Sequence, residues 1–198
     1  YQRLKREEYL GQTGRGLMAK SIDELDKYIN GKIQGVFGKL EMGVLKEEIE
    51  KLKPGDVYVE IGVDEGRSAR VAHEYAHPEV FKIFIDINDP DPRGRFMQDE
   101  GMVGLGKNGF WVHGDADQFS EALSNMMPEY EFVNLLFIDG HHNYDSVKKN
   151  TLSWETLVVS GGVILFHDYD HPETKCWLDE HYGDNKEVVG GKIVRVKR

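Results

Sequence analysis

Five short apolar runs, Val57–Ile61, Val80–Ile85, Phe110–Val112, Phe132–Ile138 and Val163–Phe166, punctuate the chain from residue 57 onward. They are near-continuous instead of alternating, which demands cover on both faces, and the segments between them carry helical spacing. Ser68 to Ala76 reads as a helix that stops before Pro78. Phe119, Leu123, Met126 and Met127 mark a second helix, and Val147, Trp154, Leu157 and Val158 a third. Strands of this kind separated by helices imply a buried parallel sheet in a doubly wound α/β fold. A helix over Pro172 to His181 follows. Glu187 to Val196 then reads as two strands joined at Gly190-Gly191, a hairpin signal.

Ahead of the first run lies a different pattern. Residues 1 to 20 are polar, mix basic with acidic groups and show no apolar period, which predicts a flexible arm or lid. Ser21-Ile-Asp-Glu24 has capping-box spacing, with Ile22, Leu25 and Ile29 at helical intervals, and Gly31 and Gly35 break that helix. Met42, Leu45, Ile49 and Leu52 form a second stripe ending at Pro54-Gly55. These two helices are expected to cover one side of the sheet. The whole, 1–198, reads as a single domain: an N-terminal arm with cap helices over 1–53 and a ligand-binding core over 54–198.

Composition narrows the function. A net charge of −10 and a pI near 5.3 work against a nucleic-acid partner, because an acidic surface repels a polyanion. No apolar stretch is long enough to span a bilayer. The single cysteine, Cys176, cannot form an intrachain disulfide, so the cytoplasm is the default expectation. The first residue is Tyr1, not Met, so the lack of a targeting peptide decides little. Self-association into a homo-oligomer is left open.

Parallel strands deliver their last residues to one sheet edge, where open α/β folds bind ligands. Here that edge collects Glu60 and Gly62, Asp86, Asp115, Asp139 with His141 and His142, and His167 with Asp168. After the first strand, Gly62 and Gly66 allow a tight turn and close approach of a ligand, and Ser68 opens the helix. A dinucleotide site wants Gly-x-Gly-x-x-Gly, but Asp64 and Arg67 stand where the second and third glycines belong. With Glu60, Asp64 and Glu65 nearby, a cationic or uncharged ligand fits better than a pyrophosphate. A Gly-x-x-x-x-Gly-Lys phosphate loop is also missing.

These residues resemble the class I S-adenosylmethionine-dependent methyltransferases. Glu60-Ile-Gly-Val-Asp-Glu-Gly-Arg-Ser68 is similar to that family's acid-x-Gly-x-x-x-Gly motif. Asp86 lies where an acid holds the ribose hydroxyls, and Gly114-Asp-Ala116 where the adenine is contacted. Asp139-Gly-His-His-Asn-Tyr144, followed by Ser160-Gly-Gly-Val-Ile-Leu-Phe-His-Asp-Tyr169, resembles the small Asp-Gly-x-His-x-Tyr methyltransferases. The resemblance covers about residues 54 to 198. It implies a mostly parallel seven-stranded Rossmann-like sheet with an antiparallel C-terminal hairpin. It also implies S-adenosylmethionine bound by Glu60, Gly62, Gly66, Ser68, Asp86, Asp115, Ala116 and Asp139.

Methyl transfer from a sulfonium mainly requires alignment, but a hydroxyl acceptor must lose a proton. Two devices are available. One is a divalent metal such as Mg2+ on Asp139 and Asp168 with His167 or His142 beside them, as the related metal-dependent O-methyltransferases use carboxylates at these strand ends. That pattern ends the fifth strand in Asp-Asn, whereas here the pair is His167-Asp168. The other is a general base, His142, assisted by Asp139 and Tyr144, since imidazole titrates near neutral pH. His73, His77, His113, His171 and His181 read as surface or packing residues, Tyr144 and Trp154 also suit a core role, and Arg93 and Arg95 suit a solvated loop. The expected activity is O-methylation of a small molecule, a sugar or natural-product hydroxyl. The alternatives are an S-adenosylmethionine-binding module without catalysis and, disfavoured by the missing glycines, an NAD-dependent oxidoreductase.

Overall fold

The computed structural model describes residues 19–31, 33, 35–88, 108–127 and 130–198. Two helices lead, α1 (Ile22–Asn30) and α2 (Lys39–Ile49), followed by β1 (Val57–Ile61), α3 (Arg67–Tyr75), β2 (Phe81–Asp86) and β3 (Gly109–His113). Then come α4 (Ala116–Met126), β4 (Val133–Ile138), α5 (Tyr144–Trp154), β5 (Val158–Phe166), α6 (Pro172–Tyr182), β6 (Glu187–Val189) and β7 (Ile193–Lys197). The strands form one sheet in the order β3-β2-β1-β4-β5-β7-β6. β3 through β5 pair in parallel, and β7 runs antiparallel to both β5 and β6.

Alternation along each strand splits the apolar residues into two layers. On one face, Tyr58, Phe84, Phe137 and Leu165 pack against Leu25 and Ile29 of α1, Met42, Leu45 and Ile49 of α2, and Ala69 and Ala72 of α3. On the other, Val59, Ile61, Leu136, Ile138 and Phe166 meet α4, α5 and α6 through Ala116, Val147, Trp154, Trp177 and Leu178. The N-terminal helices thus cover one side, as their stripes predict. Ser21 caps α1 in a reciprocal box with Glu24.

β5 begins earlier than its sequence suggests. Val133 pairs with Val158 but Leu135 with Val163, so the strand carries an irregularity. Gly161 takes φ +79°, and a Cβ at Gly162 would lie 2.7 Å from Val158 Cγ1 and 2.9 Å from the Val159 carbonyl oxygen. The Gly-Gly pair, which reads locally as a turn, is therefore a bulge within one strand. The predicted arm over 1–20 lies almost entirely outside the described residues, as do Arg93 and Arg95. No helix among the described residues is long and apolar enough to cross a membrane.

Candidate functional site

The parallel ladder runs one step past the strands. The amides of Gly62, Asp139, His167 and Gly114 donate to the carbonyls of Ile85, Ile61, Ile138 and Asp86 at 2.8 to 3.0 Å. The strand-end residues are thereby brought side by side where the order reverses between β1 and β4, the switch point at which open sheets leave a crevice. A cleft of about 350 Å³ opens there. Its lining includes Gly62, Asp86, Asp115, Ala116 and Asp139, five of the residues expected to hold a cofactor. A Cβ at Gly62, whose φ is +80°, would lie 2.6 Å from the Asp139 carbonyl carbon and 2.7 Å from Gly140 Cα. Only glycine lets the β1 and β4 loops meet this closely.

Asp86 organises the β1 loop. Its Oδ2 accepts the Val63 and Asp64 amides at 2.8 Å each, and its Oδ1 accepts the Asn88 amide at 2.8 Å. Asp64 sits at φ +48°, a left-handed conformation that Asp tolerates better than most residues. Asp115 caps α4, accepting from the amides of Asp117 and Gln118. Its backbone position on the cleft and its capping role are compatible.

Glu60, Gly66 and Ser68 stand behind the cleft, not on its wall. Glu60 is fully buried, where it accepts from Tyr58 Oη at 2.7 Å and Ser68 Oγ at 2.5 Å. Burial pushes its carboxyl up to about 8, although the two hydroxyls partly offset that. Gly66, at φ +85°, is the left-handed cap of α3. These three, expected to bind the cofactor, brace the loop and are not among the residues that line the cleft.

Beside the cleft, where Asp139 belongs to its wall, oxygens of Asp139 and Asp168 and a ring nitrogen of His142 all lie within 4.8 Å of one another. His142 Nε2 is 3.3 Å from Asp168 Oδ2. Asp168 reaches this position through a left-handed turn, φ +53°. His167, its neighbour in sequence, extends from these carboxylates towards α2. Only 4% exposed, it packs against Phe37 with ring centroids 5.4 Å apart. Its Nδ1 lies 3.0 Å from Asp139 Oδ1 and 3.1 Å from Asp168 Oδ2, and its Nε2 lies 3.4 Å from Glu41 Oε1. The last contact is close enough for an ion pair but is not aligned as a hydrogen bond. Burial disfavours charge on this ring, but the three carboxylates outweigh it and raise the pKa to about 11. His167, expected as a ligand, has its ring nitrogens against Asp139, Asp168 and Glu41, and the group whose ligand atoms converge is Asp139, His142 and Asp168. Burial raises the Asp139 carboxyl, while the bond to His167 holds Asp168 low.

Tyr144 also departs from expectation. Its hydroxyl donates to Glu180 Oε2 at 2.5 Å and its ring meets Trp177 edge-on, so it fastens α5 to α6 and does not line the cleft. The bond to Glu180 pushes its pKa up to about 12, far from a useful base or acid.

Several cleft residues escape sequence reasoning. Ser146, Lys149 and Asn150 line it from α5, at the i, i+3, i+4 spacing of one helical face, and Asp117 joins them from α4. Lys149 lies 3.0 Å from Asp117, which also accepts from Asn150 at 2.8 Å. The spacing was a usable signal, obscured by the apolar residues of the opposite face. His171, read as a surface or packing residue, lies near His142. Its ring lies 5.8 Å from that of His142, and its Nδ1 is buried without a hydrogen-bond partner.

Comparison with known proteins follows this geometry. Solved structures with the same fold include the calicheamicin methyltransferase CalS11, 14% identical over 80% of this chain and 77% of that one, with a TM-score of 0.60. The O-methyltransferase NovP is 16% identical over 81% and 80%, with a TM-score of 0.58. MycE from the mycinamycin pathway, solved with Mg, SAH and mycinamycin VI, is 15% identical over 96% of this chain but only 62% of its own length, at a TM-score of 0.65. No curated protein sequence matches the chain. A family model described as a methyltransferase domain matches residues 59–169, the span from β1 through the Asp168 turn that holds the cleft and the carboxylate–imidazole group beside it, and the chain belongs to that methyltransferase family.

Proposed function

We propose that this methyltransferase moves a methyl group from S-adenosylmethionine to an oxygen of a small acceptor, a sugar or natural-product hydroxyl. In this reading Asp139 and Asp168 hold a divalent cation and His142 is the general base. The observation that carries it is the convergence of two carboxylates and an imidazole beside an acidic cleft, with Asp139 common to both.

The cleft suits the donor. Its volume lies within the ordinary range of about 300–1,000 Å³ for ligand sites. Six aspartates and one lysine line it, which favours a ligand bearing a sulfonium and an ammonium over a pyrophosphate. Asp86 uses three acceptor positions on backbone amides, and a carboxylate offers about four, so one remains for a ribose hydroxyl. The oxygens of Asp139 and Asp168 are hard donors of the kind Mg2+ and Mn2+ take. MycE, similar in fold, was solved with Mg and SAH.

S-adenosylmethionine, when bound, supplies a methyl group whose bond to sulfur breaks as its bond to the acceptor oxygen forms, and a bound cation lowers the pKa of that hydroxyl. His142, partly exposed, takes the hydroxyl proton and releases it to solvent. Asp168 Oδ2, 3.3 Å from Nε2, orients the ring. Gly62 and the Asp86-bound loop exclude side chains and hold the donor's place.

A second reading, favoured by the spacing of the three groups, makes His142 the third metal ligand. A ligating nitrogen has no lone pair for a proton, so the two roles are exclusive. Calorimetric titration is expected to show heat with S-adenosylmethionine and none with NAD; the reverse overturns the methyl-transfer reading. A methyl-transfer assay over a panel of hydroxylated acceptors, with Mg2+ or EDTA, tests the rest. His142→Ala is expected to lower kcat by about 10²–10⁴ with donor affinity unchanged. Loss of Mn2+ binding in that variant assigns the ligand role instead. Donor binding with no transfer to any acceptor leaves a binding module.

A further inference from the structure

The structure assigns Glu41, on the N-terminal cap helix, as a positioning residue for the Asp139–Asp168 carboxylate pair, acting through His167. The inference rests on the metal reading above. Glu41 and His167 are 6% and 4% exposed, and together with the two aspartates they form a chain from α2 to the ends of β4 and β5. Stability alone does not explain such a chain, since replacing buried ionic groups with apolar packing is commonly neutral or stabilising. The surroundings would allow that packing: Phe37 and Phe137 already flank His167.

The two oxygens of Glu41 have separate tasks. Oε2 accepts the Gly38 amide and so caps the start of α2, while Oε1 faces His167 Nε2 at 3.4 Å. The opposite ring nitrogen, Nδ1, is then presented midway between Asp139 Oδ1 and Asp168 Oδ2. The ring thereby sets the separation and direction of two like-charged groups that belong to different strands. The helix start favours an anion at this position, which keeps the Glu41 carboxylate in place. Arg67 fixes the preceding segment against α3, donating to the Phe37 and Ile33 carbonyls at 3.1 and 2.8 Å and to Asn30 Oδ1 at 2.6 Å. Glu41 is therefore held from both sides before it meets His167.

Glu41→Gln separates capping from positioning, because an amide has one oxygen and cannot serve the Gly38 amide and the His167 ring together. Glu41→Asp keeps the charge and can still cap, but withdraws from the ring, and it replaces the Gln variant should that one fail to fold. Mn2+ affinity is read by electron paramagnetic resonance and donor affinity by calorimetry. Both variants are expected to bind Mn2+ about tenfold or more weakly, with donor affinity within about twofold of wild type. Ser21→Ala, which weakens the cap of α1 without touching the chain, is expected to leave Mn2+ affinity unchanged. Wild-type Mn2+ affinity in both Glu41 variants overturns the positioning role and leaves the metal site standing. Equal loss in Ser21→Ala also overturns it, since general loosening then accounts for the effect. Absence of Mn2+ binding in the wild-type protein overturns the metal reading, and the inference with it.

Discussion

The tightest backbone approach in the cleft gives a prediction whose size can be worked out. Three glycines of this protein differ in what an added methyl group meets. Gly43 lies inside α2 with nothing within 4 Å and no positive φ, Gly161 has φ +79° with nothing within 4 Å, and Gly62 has φ +80° with the Asp139–Gly140 backbone under 3 Å away. Gly43→Ala gains helix propensity and is expected to stabilise the fold by about 0.5–1 kcal/mol. Gly161→Ala incurs only the left-handed strain, about 1–2 kcal/mol. Gly62→Ala adds to that strain an overpacking cost of about 1–3 kcal/mol, for a total near 2–5 kcal/mol. Backbone rather than a flexible side chain opposes the methyl, so the two loops must part. Urea denaturation at neutral pH measures all three, and calorimetry with S-adenosylmethionine shows whether the donor site moves with the loop. Gly62→Ala alone is expected to lose donor affinity, by about tenfold or more, since a displacement near 1 Å at a positioned site costs on the order of a hundredfold in rate. A Gly62→Ala protein as stable as Gly161→Ala, with donor affinity intact, would refute the close-approach argument.

Other consequences can be checked alongside. Asp86→Asn keeps one acceptor oxygen for what are now three amide bonds, and because bonds to a charged group are worth about 1.5–3 kcal/mol each and are not additive, a loss of roughly 2–3 kcal/mol with weakened donor binding is expected; unchanged urea midpoint and calorimetric affinity would count against its organising role. His73 has its pKa lowered to about 4 by burial, with Arg70 and Lys82 adding to the effect. The folded state thus takes its proton later than the unfolded chain, so the stability His73 contributes is complete above the ordinary value of 6.5 and falls as pH drops towards 4, by at most about 3 kcal/mol. His73→Gln should flatten the acid limb of the urea midpoint against pH relative to wild type, and parallel curves would show that the ring is not masked. Tyr144→Phe removes only the bond to Glu180, so methyl-transfer kcat should stay within about twofold, and a collapse in kcat would return the hydroxyl to the active site.

The division between what the sequence reveals and what it hides follows from the range of the interactions involved. Apolar runs and helical stripes report burial, a property each segment must satisfy by itself, and they locate β1, β2, β4, the first cap helix and the terminal hairpin to within a residue or two, while α2 starts and stops about three residues ahead of its stripe. β5 is the exception: Gly161-Gly162 has the local chemistry of a turn, and only pairing with β4 makes it a bulge. The same holds for the site. That acids and histidines gather at one sheet edge is legible because parallel strands all end there, and Gly62, Asp86, Asp115, Ala116 and Asp139 do line one cleft.

Which way each side chain points beyond a strand end depends on loop dihedrals that residue types constrain only weakly. His167 and Asp168 are adjacent, yet strand parity sends the first towards α2 while a left-handed turn swings the second to His142. His142 and Tyr144 are two residues apart, yet one faces Asp168 and the other Glu180 on α6. Long-range partners decide these outcomes. Glu41, 126 positions before His167, has its own local explanation as a capping residue, so nothing in its immediate sequence advertises the second contact. A motif can therefore supply the right residue types for a reaction and still misassign their roles, and a buried ion pair that joins a capping residue to a strand end is where such a misassignment becomes measurable: a positioning role for Glu41 separates metal affinity from cap stability, and a purely helical role cannot.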